Sequence, residues 1–96
     1  MDILVAYDVA TDTPDGERRL RRVARECERY GQRVQKSVFE CAVNDMQRAT
    51  LTARLLEHID EERDSLRIYL LRSPRERYLE THGVDHYTDF GEPLLV

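Results

Sequence analysis

Apolar and polar positions alternate along the chain in short blocks that predict strands and helices. Residues 3–7 (ILVAY) are continuously apolar, and a run this short predicts a strand buried on both faces. A loop dense in turn residues follows over 9–16. From Glu17 the apolar positions recur at helical spacing, and Asp15 and Gly31 are expected to cap the two ends of this helix. Its apolar stripe consists of Leu20, Val23, Ala24, Cys27 and Tyr30.

The middle of the chain is rich in residues that favour strands, and its pattern leaves two interpretations open. Residues 33–43 form either one long strand or two short strands that turn near 36–37 or near Asn44. Asn44 also begins a second helix that is expected to extend to about Glu62, and a buried strand is expected over 66–71. The second helix is expected to bury the side formed by Met46, Ala49, Ala53, Leu55, Leu56 and Ile59.

The order of these elements predicts an α+β domain with the ferredoxin-like βαββαβ arrangement, in which two helices cover one face of a mostly antiparallel sheet. Residues 60–64 read as an acidic loop between the second helix and the last strand. The chain ends in aliphatic residues at 94–96, which predict an extra C-terminal strand at a sheet edge of this chain or of a partner. Many unrelated functions share this fold, so the fold alone does not decide the function.

Length and composition indicate one small globular domain spanning residues 1–96. Hydrophobic residues make up 41% and charged residues 35%, which excludes a disordered tail, a collagen-like repeat and a two-domain enzyme. No apolar run approaches the roughly 20 residues that span a bilayer, so no membrane association is expected and the expected location is the cytoplasm. Cys27 and Cys41 lack the spacing of a metal or disulfide motif, so both are expected to be reduced, partly buried thiols.

Charge is distributed unevenly along the chain, although the net charge is only −4. Residues 17–36 contain eight basic and three acidic side chains, whereas the rest of the chain contains seven basic and sixteen acidic ones. This asymmetry predicts a basic face for an anionic partner on an otherwise acidic body. The alternative is a solvated helix whose charges pair along its own surface, as Glu17 and Arg21 would.

Four sequence blocks together resemble a known family. They are YDV at 7–9, GQRVQKSVFE at 31–40, DSLRIY at 64–69 and GEPLLV at 91–96. In this order and at this chain length they resemble the Cas2 nucleases, which are small CRISPR-associated adaptation proteins. The resemblance implies a ferredoxin-like homodimer in which the C-terminal segment, about residues 75–96, adds a strand to the sheet of the partner protomer.

The resemblance also implies metal-dependent cleavage of phosphodiester bonds in RNA or double-stranded DNA during CRISPR spacer acquisition. Asp8 is then the expected catalytic residue and the ligand of Mg²⁺ or Mn²⁺. One carboxylate makes a poor site, but a two-fold axis would bring a second copy of Asp8 to the same place. Without the family, the residues favour a simpler role for Asp8, as a residue that caps a strand end or a turn.

Further site residues follow from the resemblance. Arg22 and Arg33 are expected to bind nucleic acid or to support the site, because guanidinium groups bind phosphate bidentately. Leu20 stands where some members of the family have another basic residue, and Arg18, Arg19 or Arg21 is the alternative source of that charge on the first helix. Ser37 is expected to hold a metal-bound water. Phe39 is expected to pack in the core, to lie at the dimer interface or to stack on a base.

Two other functions fit the same residues. The chain would act as a non-catalytic adaptor if its dimer held duplex DNA and bridged dimers of the CRISPR integrase Cas1, or as a ligand-binding or regulatory domain if it lacked both activities. His82 and His86 are a weak candidate metal pair, because Gly83 and a weak helical pattern argue against a helix there. His58 is expected to face solvent.

Overall fold

The computed structural model describes residues 1–88, which form a four-stranded antiparallel sheet with two long helices packed on one face. The elements are β1 (Asp2–Asp8), α1 (Pro14–Glu28), β2 (Gly31–Gln35), β3 (Val38–Ala42), α2 (Asp45–His58), β4 (Ser65–Leu71) and the short helix α3 (Arg75–Tyr78). Along the sheet the strand order is β2-β3-β1-β4, which confirms the ferredoxin-like βαββαβ prediction. The extra strand predicted at 94–96 lies outside the described residues.

The central strand β1 separates the two faces of the sheet. Ile3, Val5 and Tyr7 are buried against the helices, whereas Leu4 and Ala6 point to the opposite face and are only partly covered. The sequence predicted that this strand is buried on both faces. In this chain it is buried on the helix side and only partly covered on the other. We call the surface opposite α1 and α2 the outer face; it includes Leu4, Ala6, Asp8, Glu40, Arg67 and Tyr69.

The β-rich segment forms two strands that turn at residues 36–37, which decides between the two interpretations of the sequence. The backbone N–H of Tyr7 donates to the carbonyl of Ser37 at 3.0 Å, so this turn lies beside the end of β1. Gly31 is the first residue of β2 rather than the cap of α1. A Cβ atom there would lie 2.1 Å from the carbonyl oxygen of Glu40, so glycine is required by the close approach of β3.

Helix α1 begins three residues earlier than the sequence indicated. The hydroxyl of Thr13 accepts a hydrogen bond from the N–H of Gly16 at 3.2 Å, which is the capping role expected of Asp15. Pro14 suits the first turn because its missing N–H would have no helical partner. Asp15 instead forms an ion pair with Arg18 one turn along.

Helix α2 starts where the sequence predicted and ends earlier. Asn44 and Gln47 form a reciprocal capping box, with hydrogen bonds of 2.7 and 2.9 Å. Ile59 adopts an extended backbone, so the helix ends at His58 and does not reach Glu62.

The buried side of α2 differs from the one predicted. Leu51 and Leu55 are fully buried, whereas Met46 is 79% and Leu56 is 46% exposed. Of the side predicted to be buried, only Leu55 and Ile59 contact the core. The physical reason is that apolar residues occupy more than one side of this helix, and its packing against α1 and the sheet selects the side with Leu51.

One apolar core lies between the helices and the sheet, and both thiols belong to it. Cys27 and Cys41 are free and buried, as predicted, and burial raises their pKa to about 12 and about 11. No helix in the part of the chain that the structure describes is long and apolar enough to cross a membrane. The core residues are Ile3, Val5, Tyr7, Val9, Val23, Ala24, Cys27, Phe39, Cys41, Val43, Leu51 and Leu55.

After β4 the chain folds back against its own sheet. Arg75 donates two hydrogen bonds to the buried carboxylate of Glu40, at 2.7 and 2.8 Å, on the outer face. Further along, the side-chain amide of Gln32 exchanges two hydrogen bonds of 2.8 Å with the backbone of Thr88. Strand addition to a partner, which the family resemblance implies for the C-terminal segment, stays a prediction.

Candidate functional site

Asp8 occupies the end of the central strand, between the ends of its two neighbours. It is exposed, and the alternation of β1 directs its side chain to the outer face. Ser65 of β4 lies opposite Asp8. On the other side lies the β2–β3 turn, which the hydrogen bond between Tyr7 and Ser37 connects to the end of β1. No residue in the range 1–88 makes a hydrogen bond or an ion pair with the Asp8 carboxylate, so both of its oxygens are available to a cation.

A single chain supplies only part of a metal site. Within residues 1–88, no group of three or more histidine, cysteine or acidic side chains could hold an ion. Asp8 nevertheless fits Mg²⁺ as one ligand, because this ion prefers carboxylate oxygen and keeps several of its waters. His82 pairs with Glu80 at 2.8 Å, both side chains being exposed, and no metal group forms there with His86.

Asp64 belongs to this end of the sheet, although the sequence placed it in an acidic loop. Its side chain is fully buried and pairs with Arg19, the nitrogen–oxygen distances being 2.8 and 3.2 Å. It also accepts hydrogen bonds from the backbone N–H groups of Ala10 and Asp60, at 3.1 and 2.9 Å. The hydrogen bonds from Arg19 are the main reason why the pKa of Asp64 is lowered to about 2.

A basic groove runs between α1 and the β2–β3 hairpin, on the helix side of the sheet. Its volume is about 550 Å³, and Glu28 is the one acidic residue among those lining it. Tyr7, Leu20 and Ala24 form its apolar part. We define this basic groove by its four cationic residues and the serine beside them, namely Arg21, Arg25, Arg33, Lys36 and Ser37.

Two arginines of α1, and Arg29 directly after its end, are paired with acidic side chains of the chain. Arg18 pairs with Asp15, Arg19 pairs with Asp64, and Arg29 lies 3.9 Å from Glu26. The cations of the basic groove and Arg22 form no ion pair within residues 1–88. The basic face predicted from the sequence is therefore narrower than the run of basic residues from which it was inferred.

The exposed residues predicted from the family resemblance are divided among three places. Arg33 and Ser37 both line the basic groove. Arg22 is exposed on α1 but does not line it. Asp8 lies at the same end of the sheet, on the outer face. The structure thus brings Arg33 and Ser37 together and leaves Asp8 and Arg22 on separate surfaces of one chain.

Phe39 corrects the expectation of direct nucleic-acid contact. It is fully buried on the helix side, with its ring stacked 6.3 Å from that of Tyr7, so no ring surface is open to a base. It is also absent from the outer face. Of the three roles considered, the structure gives it core packing, with one further contact. The guanidinium of Arg33 lies over its ring, 5.2 Å from the centroid.

A third buried carboxylate, after those of Glu40 and Asp64, joins the two helices and has no contact with the residues of the site. Glu26 of α1 lies 3.2 Å from the Nε2 atom of His58 and 3.9 Å from Arg54, both in α2. The prediction that His58 faces solvent is therefore wrong, because its ring points to this carboxylate. The Oε2 atom of Glu26 has no hydrogen-bond partner in the described part of the chain.

Comparison with known proteins gives a consistent set of similarities. Residues 1–77 match the family model described as CRISPR associated protein Cas2. The chain is 54% identical, over the full length of both proteins, to the CRISPR-associated endoribonuclease Cas2 1 of Moorella thermoacetica. It is 46% identical, over 99% of both, to the CRISPR-associated endonuclease Cas2 of Halalkalibacterium halodurans.

The same relationship is visible in three dimensions. A crystal structure of Streptococcus pyogenes Cas2 at pH 6.5 superimposes with a TM-score of 0.78 and shares 52% sequence identity, covering 86% of this chain and 100% of that one. A protein of Thermus thermophilus described as hypothetical superimposes with a TM-score of 0.75 at 32% identity, covering 90% of this chain and 94% of that one.

Proposed function

The chain belongs to the Cas2 family of CRISPR-associated proteins, and from this premise we propose that it is a metal-dependent endonuclease that hydrolyses phosphodiester bonds in RNA or double-stranded DNA. The observation that carries the proposal is the position of Asp8. Its carboxylate is exposed and unpaired within residues 1–88, and it lies on the outer face at a strand end. The preceding residue, Tyr7, lines the groove that presents four cations on the other side of the sheet.

The site is completed by a second copy of the chain. Asp8 lies on the outer face, where partly exposed apolar residues such as Tyr69 and Leu71 offer a surface for an isologous contact. Two facing Asp8 carboxylates repel each other when ionised, and a cation between them relieves that repulsion. Bound Mg²⁺ or Mn²⁺ supplies an activated water and compensates charge on the scissile phosphate.

The remaining residues bind and orient the substrate. Arg33 is suited to bind a phosphate bidentately, because its guanidinium is already held over the ring of Phe39. Arg21, Arg25 and Lys36 extend the same positive surface along the backbone of the nucleic acid. Arg22 adds a contact outside the basic groove, and Ser37 is placed to hydrogen-bond a water near the end of β1.

The relatives differ in the substrate that their names state, since one is called an endoribonuclease and the other an endonuclease. Both substrate classes therefore remain within the proposal. We also place the activity in CRISPR spacer acquisition, with the integrase Cas1 as partner. A purely structural adaptor would use the same dimer and the same basic groove, and no contact in the structure favours it over the nuclease.

The test compares Asp8→Asn with Asp2→Asn, which alters an acidic residue at the other end of the same strand. Matched RNA and duplex DNA are incubated with each dimer in Mg²⁺, Mn²⁺ or EDTA. We expect Asp8→Asn to lower the cleavage rate by about 100-fold or more, because the metal ligand is lost. Asp2→Asn is expected to retain it, and EDTA to abolish cleavage by both wild type and control.

Two results would decide against parts of this proposal. Wild-type cleavage by Asp8→Asn, in a preparation shown to be free of contaminating nuclease, contradicts the catalytic role of Asp8. Normal spacer acquisition in cells that carry Asp8→Asn, with cleavage lost in vitro, assigns the physiological role to the adaptor.

A further inference from the structure

The buried carboxylate of Asp64 joins two backbone segments near Asp8, the loop after β1 and the loop before β4. We propose that Asp64, together with Arg19, is a positioning residue that sets the location of the Asp8 carboxylate for the cation. The inference rests on the proposed function, because it assigns a role in the same metal site. Asp64 itself is not a ligand in this proposal and acts through the backbone.

The contacts define which segments are held. The N–H of Ala10, two residues after Asp8, donates to Oδ1 of Asp64, and the N–H of Asp60 donates to Oδ2. The guanidinium of Arg19 donates to both oxygens, which connects α1 to the same point. Both oxygens of Asp64 are thus occupied, and the loop after β1 is held to the loop before β4.

The register of the sheet places these contacts around Asp8. Ser65 follows Asp64 directly and lies opposite Asp8 in the β1–β4 ladder. The hydrogen bond from Ala10 to Asp64 therefore holds the chain just after Asp8. Because Ser65 follows Asp64 directly, the same carboxylate also holds the residue opposite Asp8. Because Asp8 is the last residue of β1, its side-chain position depends on how firmly this strand end is held.

An ion pair between the loop after β1 and the loop before β4 provides a comparison. Arg63 pairs with Asp12, and this pair is exposed, with side-chain exposures of 38% and 70%. The Arg19–Asp64 pair is almost closed to solvent, at 14% and 0%. A buried, fully hydrogen-bonded carboxylate has one arrangement available, whereas an exposed pair exchanges with water. Of these two sets of contacts, those of Asp64 are therefore the ones suited to fix the strand end.

The experiment measures cation binding at Asp8 directly, on the full-length dimer. Mn²⁺ is titrated into ¹⁵N-labelled protein, and paramagnetic broadening of the Asp8 and Val9 amide signals reports occupancy. The variants are Asp64→Asn, Arg19→Gln and the matched control Asp12→Asn. Arg19→Gln keeps the bonds from Ala10 and Asp60, so it provides a milder change if Asp64→Asn does not fold.

We expect the Mn²⁺ concentration at half-broadening to rise about tenfold in Asp64→Asn, as for other residues that orient a metal ligand. A smaller rise is expected in Arg19→Gln, and none in Asp12→Asn. Because Arg19 acts through Asp64, the double variant is expected to match Asp64→Asn alone. Cleavage at limiting Mg²⁺ is expected to fall in parallel and to recover in excess Mg²⁺, which a loss of folded protein would not do.

The outcomes separate the inference from the proposed function. If folded Asp64→Asn and Arg19→Gln both bind Mn²⁺ as the wild type does, the inference is wrong and the proposed function stands. If Asp64→Asn does not fold, Arg19→Gln alone decides. If the wild type shows no broadening at Asp8, both are overturned.

Discussion

Asp8 and Asp64 lie near each other at one end of the sheet, yet their carboxylates have opposite surroundings. Asp8 is exposed, and the part of the chain that the structure describes offers it no partner. Asp64 is buried and accepts bonds from Arg19, Ala10 and Asp60. The first arrangement leaves a charge available to a ligand, whereas the second uses the charge to connect elements of the fold. The same residue type therefore has two separate consequences here, one for acid stability through Asp64 and one for cation binding through Asp8.

Acid stability is the first of these consequences. The pKa of Asp64 is lowered from 3.8 to about 2, mainly by Arg19. A carboxylate whose pKa is lower in the folded state stabilises the fold above its unfolded pKa and loses this contribution as pH falls through the folded value. Between pH 5 and pH 2 the wild type is therefore expected to lose about 2 kcal/mol more unfolding free energy than Asp64→Asn.

Urea unfolding at a fixed protein concentration across this pH range measures the difference. Asp12→Asn serves as the control, since Asp12 is exposed, and its loss is expected to follow that of the wild type. A loss in Asp64→Asn as large as that in the wild type would contradict the assignment.

At the scale of elements, the two helices show what could be predicted from the sequence. Helix α1 has one apolar stripe among arginines, and its predicted core residues, such as Val23 and Cys27, are buried. Helix α2 carries apolar residues on more than one side, so periodicity alone could not select the side with Leu51. The order of helices and strands followed from the pattern, but the division of residues 33–43 into two strands and the buried face of α2 did not.

The candidate site divides in the same way. Asp8, Arg33 and Ser37 were identified from local sequence blocks that resemble a family. The role of Asp64 could not be identified in this way, because its partners Arg19 and Ala10 are 45 and 54 residues away in the sequence. Tertiary structure likewise brings the arginines of α1 against the β2–β3 hairpin, and local patterns carry no information on that contact.

Two adjacent leucines of α2 test the assignment of its buried side. Leu55 is fully buried and Leu56 is 46% exposed. Leu55→Ala is expected to lower the unfolding free energy by about 2–5 kcal/mol, because it removes buried methyl groups and leaves a cavity. Leu56→Ala is expected to cost less than about 1 kcal/mol. Chemical denaturation of both variants at one protein concentration provides the measurement, and equal losses would show that α2 packs differently.

At the scale of the whole molecule, a net charge of −4 coexists with a local surface that suits an anion. Ion pairs within the chain determine which cations remain available to an anion. Arg18, Arg19 and Arg29 each lie beside an acidic side chain, so their charges are already compensated. The cations of the basic groove are left without such partners in residues 1–88. A polyanion is therefore expected to approach the groove, while the acidic remainder of the molecule limits non-specific association.

Salt dependence of binding distinguishes the groove from the paired arginines. The slope of log K against log salt concentration is negative, and each phosphate contact that is lost reduces its magnitude by about 0.7–0.9, because fewer counterions are released. Neutralising two groove cations in Arg25→Gln/Lys36→Gln is thus expected to reduce the magnitude of the slope by about 1.4–1.8. Arg18→Gln/Arg29→Gln removes the same formal charge from residues paired within the chain, so a much smaller change is expected.

Fluorescence anisotropy in EDTA measures binding without cleavage, and it also separates the binding contribution of the groove from that of the metal. Because both double variants lower the net charge equally, a general electrostatic effect would shift their slopes by the same amount. Equal slopes would therefore show that the nucleic acid is held by the overall field of the protein. A selective loss in Arg25→Gln/Lys36→Gln would locate the phosphates between α1 and the β2–β3 hairpin, beside the strand end that carries Asp8.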